Sequence, residues 1–216
     1  MKLIIEKISR PLEIYTLSLA FLFTNLFDKN LKLENVDDTP VKSLLFALRT
    51  IIDNLIDTEG FIGSSILVIQ FILILWIMLG KKARLFTDFF AIYLTICWIL
   101  ELICMNLLLV SPILHPVFML VELVLFIPII LIGFSWWYWR LNHQSRIGKG
   151  EPSITFDKQP TYLSYFIKTA CVAVNDTTEH GVCQNDAAKL VRIFNGFVVM
   201  DVFGLTLSRA IGLVLT

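Results

Sequence analysis

Three long stretches of this chain are almost free of charge, and they limit its fold more than any motif does. Residues 62–80 carry no Asp, Glu, Lys or Arg over 19 positions. Residues 89–110 carry only Glu101, and residues 113–139 carry only Glu122, with His115 near their start. A helix needs about 20 apolar residues to cross the hydrocarbon core of a bilayer. Lipid offers no hydrogen-bond partners, so a spanning segment of this length must bond its own backbone as a helix. The composition agrees: 56% of the residues are hydrophobic, against roughly 45–50% for a soluble domain. The expected fold class is an all-α integral membrane protein, and the lipid bilayer is its first partner.

Charge and cysteine usage exclude several functions. Lys plus Arg and Asp plus Glu are balanced at 18 each, and the bases are not gathered into one domain. Nucleic acid is therefore not an expected partner. The four cysteines show no Cys-x-x-Cys or Cys/His ligand spacing, so no metal site or cofactor is expected. Cys97 and Cys104 share one helix face and read as packing residues. Cys171 and Cys183 can bridge only where their surroundings are oxidising.

Along the chain, Lys2, Lys7 and Arg10 precede an apolar run at 12–27 with no small-residue cleavage site after it, which reads as a retained anchor. Residues 44–56 place Leu44, Leu45, Leu48, Ile51, Ile52, Leu55 and Ile56 at helical spacing, with Arg49 and Asp53 elsewhere around the wheel. This is an amphipathic helix, near 43–57, that either lies in the interface or packs as a short span. One Arg does not make a voltage sensor. The linkers at 81–84 and 111–112 are short, so the three long runs are antiparallel neighbours. The third ends in Trp136-Trp137-Tyr138-Trp139-Arg140, an interfacial aromatic belt with a basic anchor. Pro128 is expected to kink it. No internal repeat is visible, which argues against an inverted-repeat transporter.

The last third has a different rhythm. A basic linker is expected at 140–149. A run at 162–174 follows, too short to cross a bilayer. Next come the polar turn Asn175-Asp176-Thr177-Thr178-Glu179-His180-Gly181 and a last long apolar run at 193–215. Spanning helix, half-length helix, polar turn and spanning helix is the order of a pore-loop module. On that reading residues 1–110 are N-terminal membrane helices and residues 111–216 form the module.

Pro160-Thr161-Tyr162-Leu163-Ser164-Tyr165-Phe166 resembles the pore-helix entry of potassium-channel-like proteins. Ser208-Arg209-Ala210-Ile211-Gly212-Leu213 resembles the inner-helix end of their small prokaryotic members. Trp137-Tyr138-Trp139-Arg140-Leu141 is similar to the end of their outer helix. The likeness covers residues 116–216 and rests on order and spacing. It implies a pore-loop, two-helix ion-channel fold, a homotetramer in the cell membrane, and passage of ions. The departure lies in the filter. Potassium channels use a Thr-Val-Gly-Tyr-Gly run whose carbonyls replace the ion's hydration shell. Here the stretch is Val172-Ala173-Val174-Asn175-Asp176-Thr177-Thr178-Glu179, without the glycines such a backbone needs. The filter is degenerate, and potassium selectivity does not carry over.

Two readings of the turn stay open. In several copies around an axis, Asp176 and Glu179 form carboxylate rings that favour monovalent or divalent cations, with Asn175, Thr177 and Thr178 adding neutral oxygens. In the other, the turn is a polar re-entrant tip bonded to itself and to water. Glu101, Glu122, Asp201 and Arg209 lie within apolar runs. Each such charge costs about 2.5–3.5 kcal/mol near a span's centre, so they form a candidate intramembrane charge network, structural or gating. Sidedness is open as well. If residues 43–57 do not span, the positive-inside rule places the turn in the cytoplasm. If they do, six multi-pass helices and a channel-like orientation follow, which the module order favours. An intramembrane enzyme needs a polar constellation that His115 and isolated carboxylates do not provide. The function expected is conduction of cations with weak or non-potassium selectivity. The alternative is a non-conducting structural or effector protein with the same fold.

Overall fold

A computed structural model describes residues 18–19, 21–22, 40–56, 60–79, 84–110, 116–147, 151–174 and 180–215. The described residues are almost all helical: α1 (Pro40–Ile56), α2 (Phe61–Met78), α3 (Arg84–Val110), α4 (Pro116–Ile147), α5 (Tyr162–Ala173) and α6 (Asp186–Leu215). Two short strands, β1 (Ile154–Thr155) and β2 (Val182–Cys183), pair antiparallel, with Ile154 opposite Cys183 and Thr155 opposite Val182. Among the described residues three helices are long and apolar enough to cross a membrane, over Leu85–Leu107, Val124–His143 and Asp186–Ser208; Phe61–Ile77 is apolar but shorter. The chain is thus all-α and built for a membrane. Of the anchor expected at 12–27, only Ser18, Leu19, Phe21 and Leu22 are described, and they are helical.

The chain divides into two compact units. The first comprises Met1–Ile129 and Gly204–Thr216. In it α1 packs on α2 and α3, so the amphipathic helix lies against protein. Leu45 and Ile52 turn inward, while Leu44, Phe46 and Ile51 are exposed. The Tyr93 hydroxyl on α3 donates to the Leu55 carbonyl near the end of α1. Arg49 and Asp53 form the ion pair their spacing predicts, at 2.9 Å. Phe61, Val68, Phe71, Ile72 and Leu75 on α2 and Leu85, Phe86 and Phe89 on α3 are exposed, an apolar outer surface suited to lipid. Lipid tails are as apolar as leucine, so close packing and hydrogen bonds hold such helices together.

The second unit is Ile130–Phe203. Here the structure departs from the sequence expectation in three places. The linker expected at 140–149 is helical as far as Ile147. Arg140 and Asn142 are buried, and Trp139 stacks on His143 with centroids 4.9 Å apart, so these polar residues belong to a folded interior. The last helix begins at Asp186, seven residues before the apolar run. Asn185 caps it: its Oδ1 accepts from Ala188 N at 2.9 Å, and Asp186 in the first turn suits the positive end of the helix dipole. The third departure is the strand pair. Gly181 makes its tight approach possible, with φ +82°. A Cβ there would lie 2.7 Å from the Phe156 ring, so only glycine fits both the conformation and the space.

Candidate functional site

The half-length helix is the organising element of the second unit. α5 has 12 residues, about 18 Å at 1.5 Å per residue, well short of a bilayer core of about 30 Å. Its start is fixed locally: Thr161 N donates to Ser164 Oγ at 3.1 Å, and their hydroxyls are 3.2 Å apart. One face carries Tyr165, Lys168, Thr169 and Cys171 inward. Leu163, Ile167 and Val174 are exposed.

A chain of side-chain hydrogen bonds ties α5 to the rest of its unit. Ser135 Oγ on α4 donates to Thr169 Oγ1 at 3.2 Å. Asn142 is the hub: its Nδ2 donates to the Tyr165 hydroxyl at 2.8 Å, and its Oδ1 accepts from Ile154 N at 3.2 Å. Ser153 Oγ donates to the Leu141 carbonyl at 3.2 Å and accepts from Asn185 Nδ2 at 2.8 Å. Gln184 N returns to the Ser153 carbonyl at 2.9 Å. The Phe156 ring meets Tyr165 edge-on at 5.2 Å. α4, α5, the strand pair and the cap of α6 are thereby one bonded framework.

Beside it lies a second polar group. Tyr138 on α4 and Asn195 on α6 are both fully buried, and their side chains are hydrogen-bonding neighbours. The two side chains lie close enough to influence each other, and Tyr138 also feels Cys183 and Arg192. The Phe134 and Phe194 rings, 5.8 Å apart, pack the same two helices together. Cys183 is buried in β2; burial pushes its thiol up, and the cations Lys168, Arg192 and Lys189 oppose that shift. Lys168 is itself buried. No disulfide joins Cys171 and Cys183.

The residues singled out by the sequence are placed as follows. Asn175, Asp176, Thr177, Thr178 and Glu179 lie outside the described residues. The chain enters that stretch from the end of α5 at Val174 and leaves it at the exposed His180 and the buried Gly181. Glu101 is buried in α3, on the face that carries the buried Cys97, Cys104 and Met105. Asp201 is half-buried in α6. Glu122 lies in α4 and Arg209 in α6, with side chains outside the description. Among the described residues, no group of three or more His, Cys, Asp or Glu gathers as for a metal ion.

The sequence reading passed over Asn142, Lys168, Tyr138 and Asn195. A signal existed for two of them. Lys168 interrupts the half-helix run and Asn195 the last apolar run, and a strongly polar residue inside an apolar helix is a functional candidate by default. Asn142 carries no such mark, because it follows the aromatic belt among other polar residues. No protein-family model, curated protein or solved structure matches the chain.

Proposed function

We propose that this chain is a multi-pass protein of the cell membrane with a channel-like pore-loop module, and that it passes cations without potassium preference through a homotetramer. The observation that carries the reading is α5, a helix too short to span, between two helices that are long enough, over Val124–His143 and Asp186–Ser208. α5 is held by hydrogen bonds to α4, and Asn142 of α4 is bonded in turn to β1, a rigid support for the segment 175–179 that follows α5. Rigid support is what a filter requires, since its oxygens must keep their places while ions pass. One chain supplies one such segment, so a closed pore needs several copies. Asp176 and Glu179 supply the negative ring in this reading.

A second reading is favoured by the charges near the strand pair. Lys168, Lys189 and Arg192 all act on Cys183, two residues past the end of the turn at Gly181, and a positive field opposes cation entry. In that reading the module is a closed structural or effector element. Flux from proteoliposomes separates the two. Under the first, sodium and potassium both pass, with a reversal potential near zero in opposed gradients. Asp176→Asn with Glu179→Gln then lowers the current most at low salt, where screening is weakest. Absence of any flux from tetramers, or from a protein that is monomeric, overturns the first reading.

A further inference from the structure

The short strand pair holds together more than its length explains. Each strand has two residues, and an isolated two-stranded pair is at best marginally stable. Its register puts Ile154 opposite Cys183 and Thr155 opposite Val182, so the next position along sets Phe156 across from Gly181. Ile154 and Phe156 lie two apart and share a face. Both crowd the glycine: a Cβ at Gly181 would lie 2.7 Å from the Phe156 ring and 3.0 Å from the Ile154 side chain. A ring laid against a glycine across a strand pair supplies the contact that glycine cannot make. The same ring meets Tyr165 of α5 edge-on, with centroids 5.2 Å apart, a favoured aromatic geometry. Phe156 therefore touches both flanks of residues 175–179: α5, which leads into them, and Gly181, the second residue after them. Asn142 supports the arrangement from α4, through the Tyr165 hydroxyl at 2.8 Å and Ile154 N at 3.2 Å. Those two bonds fix α5 and β1; the ring carries the grip on to Gly181.

We propose that Phe156 is a positioning residue, a wedge between α5 and Gly181 that sets where the chain rejoins its unit after residues 175–179. The proposal rests on the conduction reading for its purpose, since filter oxygens must keep their places while ions pass. Its geometry stands without that reading. A leucine at this position is too small to meet both neighbours, so losing the ring frees Gly181 and the exposed His180 to move away from α5.

The test uses the full chain in detergent micelles, carrying Leu163→Cys and His180→Cys, both at exposed positions, each with a spin label. The native cysteines are buried, and the chain without the two substitutions measures what they take up. Labelled protein is diluted with unlabelled protein, so that the spin pairs lie within one chain. Dipolar spectra should give a single narrow distance distribution. Phe156→Leu should broaden it by several ångström, and Phe156→Tyr, which keeps the ring, should leave it narrow. Gly181→Ala, which drives a methyl group into the ring, should displace it. The same distribution in wild type, Phe156→Leu and Gly181→Ala overturns the proposal, as does a broadening that Phe156→Tyr shares with Phe156→Leu. A second readout follows the proposed function. In proteoliposomes under a sodium chloride gradient, Phe156→Leu should move the reversal potential towards zero, because carboxylates held less closely attract cations less, and Phe156→Tyr should keep the wild-type value. A wild type that passes no ions removes the conduction reading, while the label distances still decide the wedge. Ion passage with label distances indifferent to residue 156 keeps the conduction reading and overturns the wedge.

Discussion

The two units use their polar side chains in opposite ways. In the first, Tyr93 reaches Leu55 on a neighbouring helix, but the other hydroxyls and amides turn back onto their own helix: Thr50 to the Phe46 carbonyl, Asn54 to Thr50, Ser65 to Phe61, Thr95 to Ala91 and Asn106 to Leu102, each four residues back. In the second, Ser135 turns back to the Leu131 carbonyl and also reaches Thr169, Asn142 reaches Tyr165 and Ile154, and Asn185 reaches Ser153, the long-range bonds running over 12 to 34 residues. Local bonding silences a polar group that must face lipid, and it carries no information about which helix lies next door. Long-range bonding does the reverse, fixing one arrangement of four elements. The first unit is accordingly a scaffold that hides its polarity, and the second is where polarity specifies a shape. That is the reason to look for function in the second.

The strongest way to break this contrast is at its hub. Asn142→Leu keeps the branched shape and removes both bonds, leaving the buried Tyr165 hydroxyl and Ile154 N without these partners. The expected loss is roughly 2–6 kcal/mol, at about 1–3 for each of the two groups. It should be confined to the second unit. Hydrogen exchange of the full protein checks this: amides of residues 151–173 lose protection while those of residues 84–107 keep theirs. Uniform loss across both would show that the network supports the whole fold rather than one unit.

How much of this was legible beforehand follows from the same contrast. The helices of the first unit and the half-length α5 follow from apolar runs and their lengths, which a local reading registers, as does the Arg49–Asp53 pair four residues apart. The strand pair could not be foreseen, because each strand has two residues and its partner lies 27 or more positions away. Nor could the helical course of 140–147 or the start of α6 at Asp186, since polar residues read as linker until something buries them. The candidate filter at 175–179 was legible as a polar turn between apolar runs, but its geometry lies outside the described residues. The cluster of Tyr138, Lys168, Cys183 and Asn195 combines four distant positions that no local pattern joins.

A sharper probe of the second unit is its response to alkali. Burial holds the Cys183 thiol above its ordinary value of 9.0, against the opposing cations Lys168, Arg192 and Lys189. The thiolate is the charged form, so the folded state keeps this proton more tightly than the unfolded chain does. Stability is therefore unaffected by this group below about pH 9 and falls as pH rises beyond the unfolded value, by at most about 1.4 kcal/mol per pH unit. Denaturant titrations between pH 8 and 10.5 should show that fall, and Cys183→Ala should flatten it. An equal fall in both proteins would assign the alkaline loss to other groups.

The smallest effect is also the cleanest comparison, since it applies one substitution to both units. Thr95 donates its hydroxyl to the Ala91 carbonyl at 2.7 Å. That carbonyl sits in mid-helix and still accepts the backbone N–H four residues on. Thr95→Val removes the hydroxyl together with its need for a partner, and the Ala91 carbonyl keeps its backbone donor, so the expected change is below about 0.5 kcal/mol. Thr169 makes the same backward bond, to the Tyr165 carbonyl at 3.0 Å, but also receives Ser135 Oγ at 3.2 Å in a fully buried position. Thr169→Val removes the acceptor from that contact between α4 and α5 and should cost about 1 kcal/mol. The difference between the two, measured by unfolding in the same mixed micelles, isolates the worth of one long-range bond. If the two variants lose the same amount, hydroxyls in the second unit are as locally satisfied as those in the first, and the division of labour between the units fails at its simplest point.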